Sequence, residues 1–286
     1  MAAPELPTPS DTLPPGIEAG FWRRQAPIAF RHLLSNITGY EERSPGINRQ
    51  VETASLTIPF ILSFGDPFEI GLGEHPTKDN AVPSFLAGLC GAPVYIQSNG
   101  RAKCLQVNFT PRGARQFFRL PMELLTDRML SVHDIVDAEV AVFIRQIEDM
   151  NDWNARLEYA MDFVCNRLRR NAEAATPADH VFARLLSSGG QASIASLGEE
   201  VGWSRKHLAQ RFRRDIGLLP KTVARIMRFG KVLQLSEVRG DVSWAELAAD
   251  CGYADQAHLI REFAEFSGQS PSAWQARLAN GTQPAW

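Results

Sequence analysis

The chain has 286 residues, 44% of them hydrophobic and 22% charged, with 30 Lys+Arg against 32 Asp+Glu. That length allows one or two domains that each bury a core unaided, and so apolar a chain with so small a net charge is not a disordered one. There is no Gly-X-Y period and no unbroken apolar stretch near twenty residues, which excludes collagen-like and helical membrane-spanning classes.

Residues 1–16 carry five prolines and are expected to form a flexible extended arm. They lack the basic-then-apolar layout of a signal peptide. Cys90, Cys104, Cys165 and Cys251 stand 14, 61 and 86 residues apart, forming neither CxxC pairs nor a dense disulfide framework. The expectation is a cytoplasmic protein with reduced thiols. A redox pair of Cys90 and Cys104 is the alternative to buried structural thiols, but nothing nearby marks a low-pKa thiolate.

From about Gly20 to Phe109 the segments are short and strand-like. Ala54–Phe64 alternates or runs apolar and Cys104–Phe109 alternates strictly, with turn signals at Gly71-Leu-Gly73 and Ser98-Asn-Gly100. Strands of this kind predict a small antiparallel barrel or sandwich. Gly113–Arg119 reads as a short helix that stops before Pro121. Val136, Val140, Phe143, Ile147 and Met150, then Leu157, Met161, Val164 and Leu168, have helical spacing and predict two amphipathic helices joined at Asn151-Asp152. Their stripes are expected to pack within the subunit, or alternatively to form a homodimer interface. Asn171–Pro177 reads as a linker.

Everything from Asp179 onward reads as helical and contains a repeat. Leu197, Val201, Gly202, Trp203, Leu208, Phe212, Gly217 and Pro220 are matched by Leu247, Cys251, Gly252, Tyr253, Leu259, Phe263, Gly268 and Pro271. The offset is 50 residues as far as the aromatic and 51 from Leu208/Leu259 onward, so the second turn has gained one residue. Each copy spells helix–turn–helix. Ser196-Leu-Gly-Glu199 and Ser243-Trp-Ala-Glu246 have the pattern of capping boxes, Gly202 and Gly252 end the first helix, and Ser204 and Asp255 cap the second. Pro220–Ser236 is expected to be one continuous helix. At about 1.5 Å per residue it forms a spacer of roughly 24 Å, which could hold two recognition helices about one DNA turn apart.

Charge agrees with a polyanion partner. From Thr176 to the end there are 13 Lys+Arg and 11 Asp+Glu, and within Arg205–Lys231 nine basic residues face only Asp215. A solvated helix face is the competing explanation of such a run.

The tandem repeat, its linking helix and the endings Gly217-Leu-Leu-Pro220 and Gly268-Gln-Ser-Pro271 resemble the AraC/XylS transcription regulators, and Gly252-Tyr-Ala-Asp-Gln-Ala-His-Leu-Ile-Arg-Glu-Phe263 is similar to that family's most diagnostic stretch. The resemblance covers Asp179 to Leu278. Pro111-Arg-Gly-Ala-Arg-Gln-Phe-Phe118 with Pro121-Met-Glu-Leu-Leu-Thr-Asp-Arg128 resembles a cupin-like domain often found ahead of it. The resemblance implies an α+β multidomain chain: a flexible arm (1–16), a cupin-like barrel with a helical hairpin for effector binding or dimerisation (17–172), an all-α double helix–turn–helix (173–280) and a tail (281–286).

It also implies the partners: a double-stranded DNA operator, a small-molecule effector, RNA polymerase if the protein is an activator, and a homodimer, with no membrane and no cofactor. The expected location is the cytoplasm, in association with the nucleoid. By similarity, Lys206 and Gln210 read bases, since Lys suits guanine O6/N7 and Gln suits adenine N6/N7. Gln256, His258 and Arg261 are the favoured base readers of the second unit. Ser204, Arg205, Arg213, Arg214 and Lys221 are assigned to phosphates, which give affinity rather than sequence information. Glu262 and Glu265 depart from the family pattern and are expected to repel phosphate and weaken the second unit.

His32, His75 and His133 lack metal-ligand spacing, and no GxSxG, HExxH or P-loop occurs, so no enzyme is expected. Phe60, Phe64 and Phe109 are candidates to line an effector pocket, with core packing as their competing fate. The alternative for the whole chain is a ligand sensor whose helical half docks on a protein instead of DNA.

Overall fold

Alternating apolar side chains make a strand bury its two faces in different layers, and the β-rich half is built on that rule. The computed structural model describes residues 19–43, 46–239 and 243–279. The predicted arm at 1–16 and tail at 281–286 lie outside the described residues. The strands are β1 (Ala19–Gln25), β2 (Leu34–Glu42), β3 (Asn48–Glu52), β4 (Ile58–Ser63), β5 (Phe68–Leu72), β6 (Ala81–Val82), β7 (Phe85–Ala87), β8 (Val94–Ser98), β9 (Lys103–Phe109) and β10 (Met129–Ser131). The helices are α1 (Pro111–Phe118), α2 (Ala138–Glu148), α3 (Trp153–Arg170), α4 (Pro177–Ser187), α5 (Ile194–Glu200), α6 (Arg205–Ile216), α7 (Pro220–Arg239), α8 (Trp244–Asp250), α9 (Gln256–Ser267) and α10 (Pro271–Ala279).

The strands form two antiparallel sheets, one in the order β1-β2-β9-β4-β7-β10 and one in the order β3-β8-β5-β6. The larger sheet is the middle layer. Phe85, Ala87 and Cys104 on one face pack with Phe68 and Ile70 of the smaller sheet. Ile58, Phe60, Leu62, Leu105, Val107 and Phe109 on the other face join the core with Phe117 and Phe118 of α1 and with Leu157, Met161, Val164 and Leu168 of α3.

The structure corrects the predicted barrel. Both sheets are open: the larger ends at β1 and β10, the smaller at β3 and β6, and among the described residues no ladder joins those edges. Alternation registers a half-buried strand equally well in a sandwich or a barrel, so it could not decide closure. The edges themselves are poor partners for closure, since β6 has two residues and β10 three.

The helical hairpin is present as α2 and α3. Val140, Phe143 and Ile147 are fully buried within the chain, and Phe143 stacks on Phe163 of α3 with ring centroids 4.1 Å apart. Val136 is 101% exposed, because Asp137 caps α2 one residue later. The proposed dimer stripe is therefore consumed internally, apart from its ends. Cys90 and Cys104 are free and buried. Burial pushes the Cys90 thiol up to about 11 and the Cys104 thiol up to about 12, so neither has the thiolate character of a redox centre.

One apolar core runs through both halves. Across their junction, Arg115 of α1 donates to both carboxylate oxygens of Asp179 in α4, at 3.2 and 2.7 Å, and to the Asp215 carbonyl in α6 at 2.9 Å. The Thr126 hydroxyl donates to the Gly217 carbonyl, and the Ala54 N–H to the Phe266 carbonyl at 2.8 Å.

Candidate nucleic-acid interface

The two predicted units are formed by α5 with α6 and by α8 with α9. Both turns have the same hydrogen bonds. The N–H of Gly202 reaches the Glu199 carbonyl at 3.0 Å and that of Trp203 the Gly198 carbonyl at 2.8 Å; in the second unit Gly252 reaches Ala249 at 3.3 Å and Tyr253 reaches Ala248 at 2.9 Å. This is the Schellman closure, which needs a left-handed residue at the glycine position, and Gly202 and Gly252 have φ of +69° and +76°. The aromatic that follows packs against the unit. Trp203 stands edge-on to His207 at 4.9 Å, and Tyr253 lies beneath the Arg228 guanidinium at 5.5 Å.

The second helices start on the predicted caps. Ser204 Oγ accepts from the His207 N–H at 3.3 Å and Asp255 Oδ1 from the His258 N–H at 2.6 Å. The extra residue of the second copy, Ala254, sits between the aromatic and this cap. Ser243 caps α8 as expected, accepting from Glu246. The cap of α5 is Ser193, not Ser196: the helix begins one turn earlier, where Ile194 joins the core.

Leu208 and Phe212 of α6, and Leu259 and Phe263 of α9, are fully buried. Their burial turns Arg205, Lys206, Gln210, Arg213 and Arg214 outward on α6, and Gln256 and Arg261 outward on α9. Lys221 is exposed in the first turn of α7, and Ser204 is exposed with its hydroxyl hydrogen still free to donate after capping. His258 is only half-exposed. Its Nε2 lies 3.1 Å from Glu262 Oε1, and its ring is edge-on to Tyr253.

The basic run also divides. Arg225 of α7 binds Glu262 at 2.6 Å and also Glu265, while Arg228 bonds the Gly190 carbonyl at 3.3 Å and Lys231 the Asp250 carbonyl at 2.8 Å. Three of the nine cations thus brace the fold. The two glutamates expected to repel phosphate are instead paired within the fold, both with Arg225 and Glu262 also with Arg228 at 3.8 Å. Burial alone would raise the Glu262 carboxyl, but the hydrogen bonds and charge of Arg225, with His258 and Arg228, outweigh it and hold the group below the usual carboxylate range. In the sequence, the i,i+3 spacings of Arg225-x-x-Arg228 and Glu262-x-x-Glu265 show only that each pair shares one face of its helix.

The effector candidates occupy different surroundings. Phe60 and Phe109 are completely buried against Phe117 and Phe118. Phe64 is half-buried between Trp153 and the Arg156 guanidinium. Neither of two open clefts touches these rings: one of about 430 Å³ lies around Glu41, Arg43, Arg101 and Lys103, and one of about 330 Å³ lies between Pro121 and Glu123 of the β-rich half and Gln210, Arg211 and Arg214 of α6. Among the described residues no group of three or more His, Cys, Asp or Glu could hold a metal ion, and no helix is long and apolar enough to cross a membrane.

A β-rich half followed by a duplicated helix–turn–helix is thus the architecture of the chain. Residues 197–277, which span both units and α7, match the helix-turn-helix domain. No curated protein matches the chain. Among solved structures it is similar to ToxT from Vibrio cholerae, at 10% identity and a TM-score of 0.46 over 91% of this chain and 98% of that one. It is also similar to the DNA-binding domain of the transcriptional factor AdpA in complex with a target DNA, at 28% identity and a TM-score of 0.34, over 37% of this chain and 96% of that one. A further likeness is to the AraC-like transcriptional activator CuxR, at 12% identity and a TM-score of 0.27, over 94% and 83%.

Proposed function

We propose that the chain is a sequence-specific DNA-binding transcription regulator of the AraC/XylS type, in which residues 173–280 read DNA and residues 17–172 control that half. The observation that carries this reading is the duplication itself. Two helix–turn–helix units present outward polar faces on α6 and α9 and are joined by the single helix α7. A second helix held this way is the element that enters a major groove.

In this reading Lys206 and Gln210 contact bases from α6, and Gln256 and Arg261 contact them from α9, with His258 limited by its bond to Glu262. Arg205, Arg213, Arg214 and Lys221 neutralise phosphates, and Ser204 donates to one. Control by the β-rich half acts through its contacts with α4 and α6 at Arg115 and Thr126, where an effector could shift the placement of the first unit.

Counterion release tests the proposal. Four phosphate-neutralising cations give a slope of log K against log salt of roughly −3 to −4, whereas docking on a protein has no such requirement. Fluorescence anisotropy with duplexes enriched by the full-length chain from a random pool measures it. Removing Lys206 and Gln210 together to alanine is expected to weaken binding more than Arg261→Ala, because α6 displays four exposed cations and α9 only Arg261. A salt-independent affinity, or Arg261→Ala as the more damaging change, would overturn this assignment.

A further inference from the structure

Aligned in sequence at Leu208/Leu259, the two units carry different chemistry on the outward face. Lys206 is matched by Ala257, Ala209 by Ile260, Gln210 by Arg261 and Arg213 by Ala264, while Arg211 and Arg214 are matched by Glu262 and Glu265. The glutamates are turned to cations of α7, both to Arg225 and Glu262 also to Arg228. What remains outward is an apolar strip of Ala257, Ile260 and Ala264, all exposed, with Gln256 and Arg261 beside it. Ile260 is one of the exposed large hydrophobic side chains, at 39%.

A single surface isoleucine needs no explanation. This one stands at the centre of the strip, on the helix face whose counterpart in α6 is basic. Residues 257 to 264 rise about 10.5 Å along the helix, close to three base steps of about 3.4 Å. In the major groove the apolar group available to such a strip is the C5-methyl of thymine, which only A·T and T·A pairs present.

We propose that α9 reads thymine methyl groups through Ile260, with Ala257 and Ala264 allowing close approach, so that the second unit selects an A·T-containing segment by apolar contact while the first reads by polar contact and charge. This inference rests on the DNA-reading function proposed above.

The test replaces thymine by deoxyuridine, which removes the methyl and keeps the hydrogen-bonding edge. In duplexes enriched by the full-length chain, uracil in the segment footprinted by the second unit is expected to weaken binding about fourfold per contacted methyl, the factor for burying one CH₂ group. The same exchange under the first unit is expected to leave affinity unchanged. Ile260→Ala should bind thymine and uracil duplexes equally. The comparison on the unaltered protein needs no variant to fold. Enrichment of specific duplexes without a thymine–uracil difference, or with a difference that Ile260→Ala retains, would overturn the methyl reading alone. Failure to enrich any duplex would overturn the DNA reading and this inference with it.

Discussion

At Glu262 a buried carboxylate is held by Arg225 at 2.6 Å, by His258 at 3.1 Å and by Arg228 at 3.8 Å. Its folded-state carboxyl lies below the ordinary value of about 4.5, so its contribution is fully present above that pH and is lost as pH falls through the lower folded value. Arg225→Ala leaves this carboxylate with only weaker partners and is expected to destabilise the chain by about 3 kcal/mol at neutral pH. The variant should also lose stability less steeply than the parent below pH 4.5, which denaturant titrations across that window will show. The presence of the two glutamates on α9 was legible in the sequence, but their direction was not. An i,i+3 acidic pair looks alike whether it faces phosphate or a neighbouring helix, and the position of Arg225 decides between them.

At the scale of elements, local chemistry accounts for most of what is seen. Gly202 and Gly252 close the two turns because only a residue without a Cβ enters the left-handed region at little cost. A Cβ at Gly202 would meet nothing within 4 Å, so Gly202→Ala isolates the backbone penalty. About 1–2 kcal/mol of lost stability is expected in thermal or denaturant unfolding, with no change in fold. The caps at Ser204, Asp255 and Ser243 were readable for the same reason, since a side-chain oxygen next to the free N–H groups of a helix start is a local matter. The cap of α5 was misread because Ser193 and Ser196 both fit, and the choice fell to Ile194, whose packing begins the helix earlier. The helical stripe of Val140, Phe143 and Ile147 was visible, and the expected packing within the subunit is what occurs, against α3 of the same chain.

For the whole molecule, the decisive contact is the one between halves. Arg115 is nearly buried and bridges the Asp179 carboxylate and the end of α6. Arg115→Ala would strand Asp179, whose next cation is Arg112 at 3.9 Å. We expect a loss of about 3 kcal/mol and the separation of one unfolding transition into two, read by near-ultraviolet and far-ultraviolet signals that cease to coincide. A single coincident transition in that variant would mean that the shared apolar core, not this ion pair, couples the halves.

The sequence by itself determined the strands with alternating faces, the duplicated helix–turn–helix, the glycines that close its turns, and the outward display of Lys206, Gln210, Gln256 and Arg261. Each of these follows from periodicity and backbone preference within a few residues. Tertiary structure decided that the sheets stay open, that Phe60 and Phe109 are core, that three basic residues brace the fold, and that α1 is bolted to α4 and α6. Those outcomes depend on which distant surfaces meet. Burial and charge compensation are properties of pairs of segments, and no single segment encodes its partner.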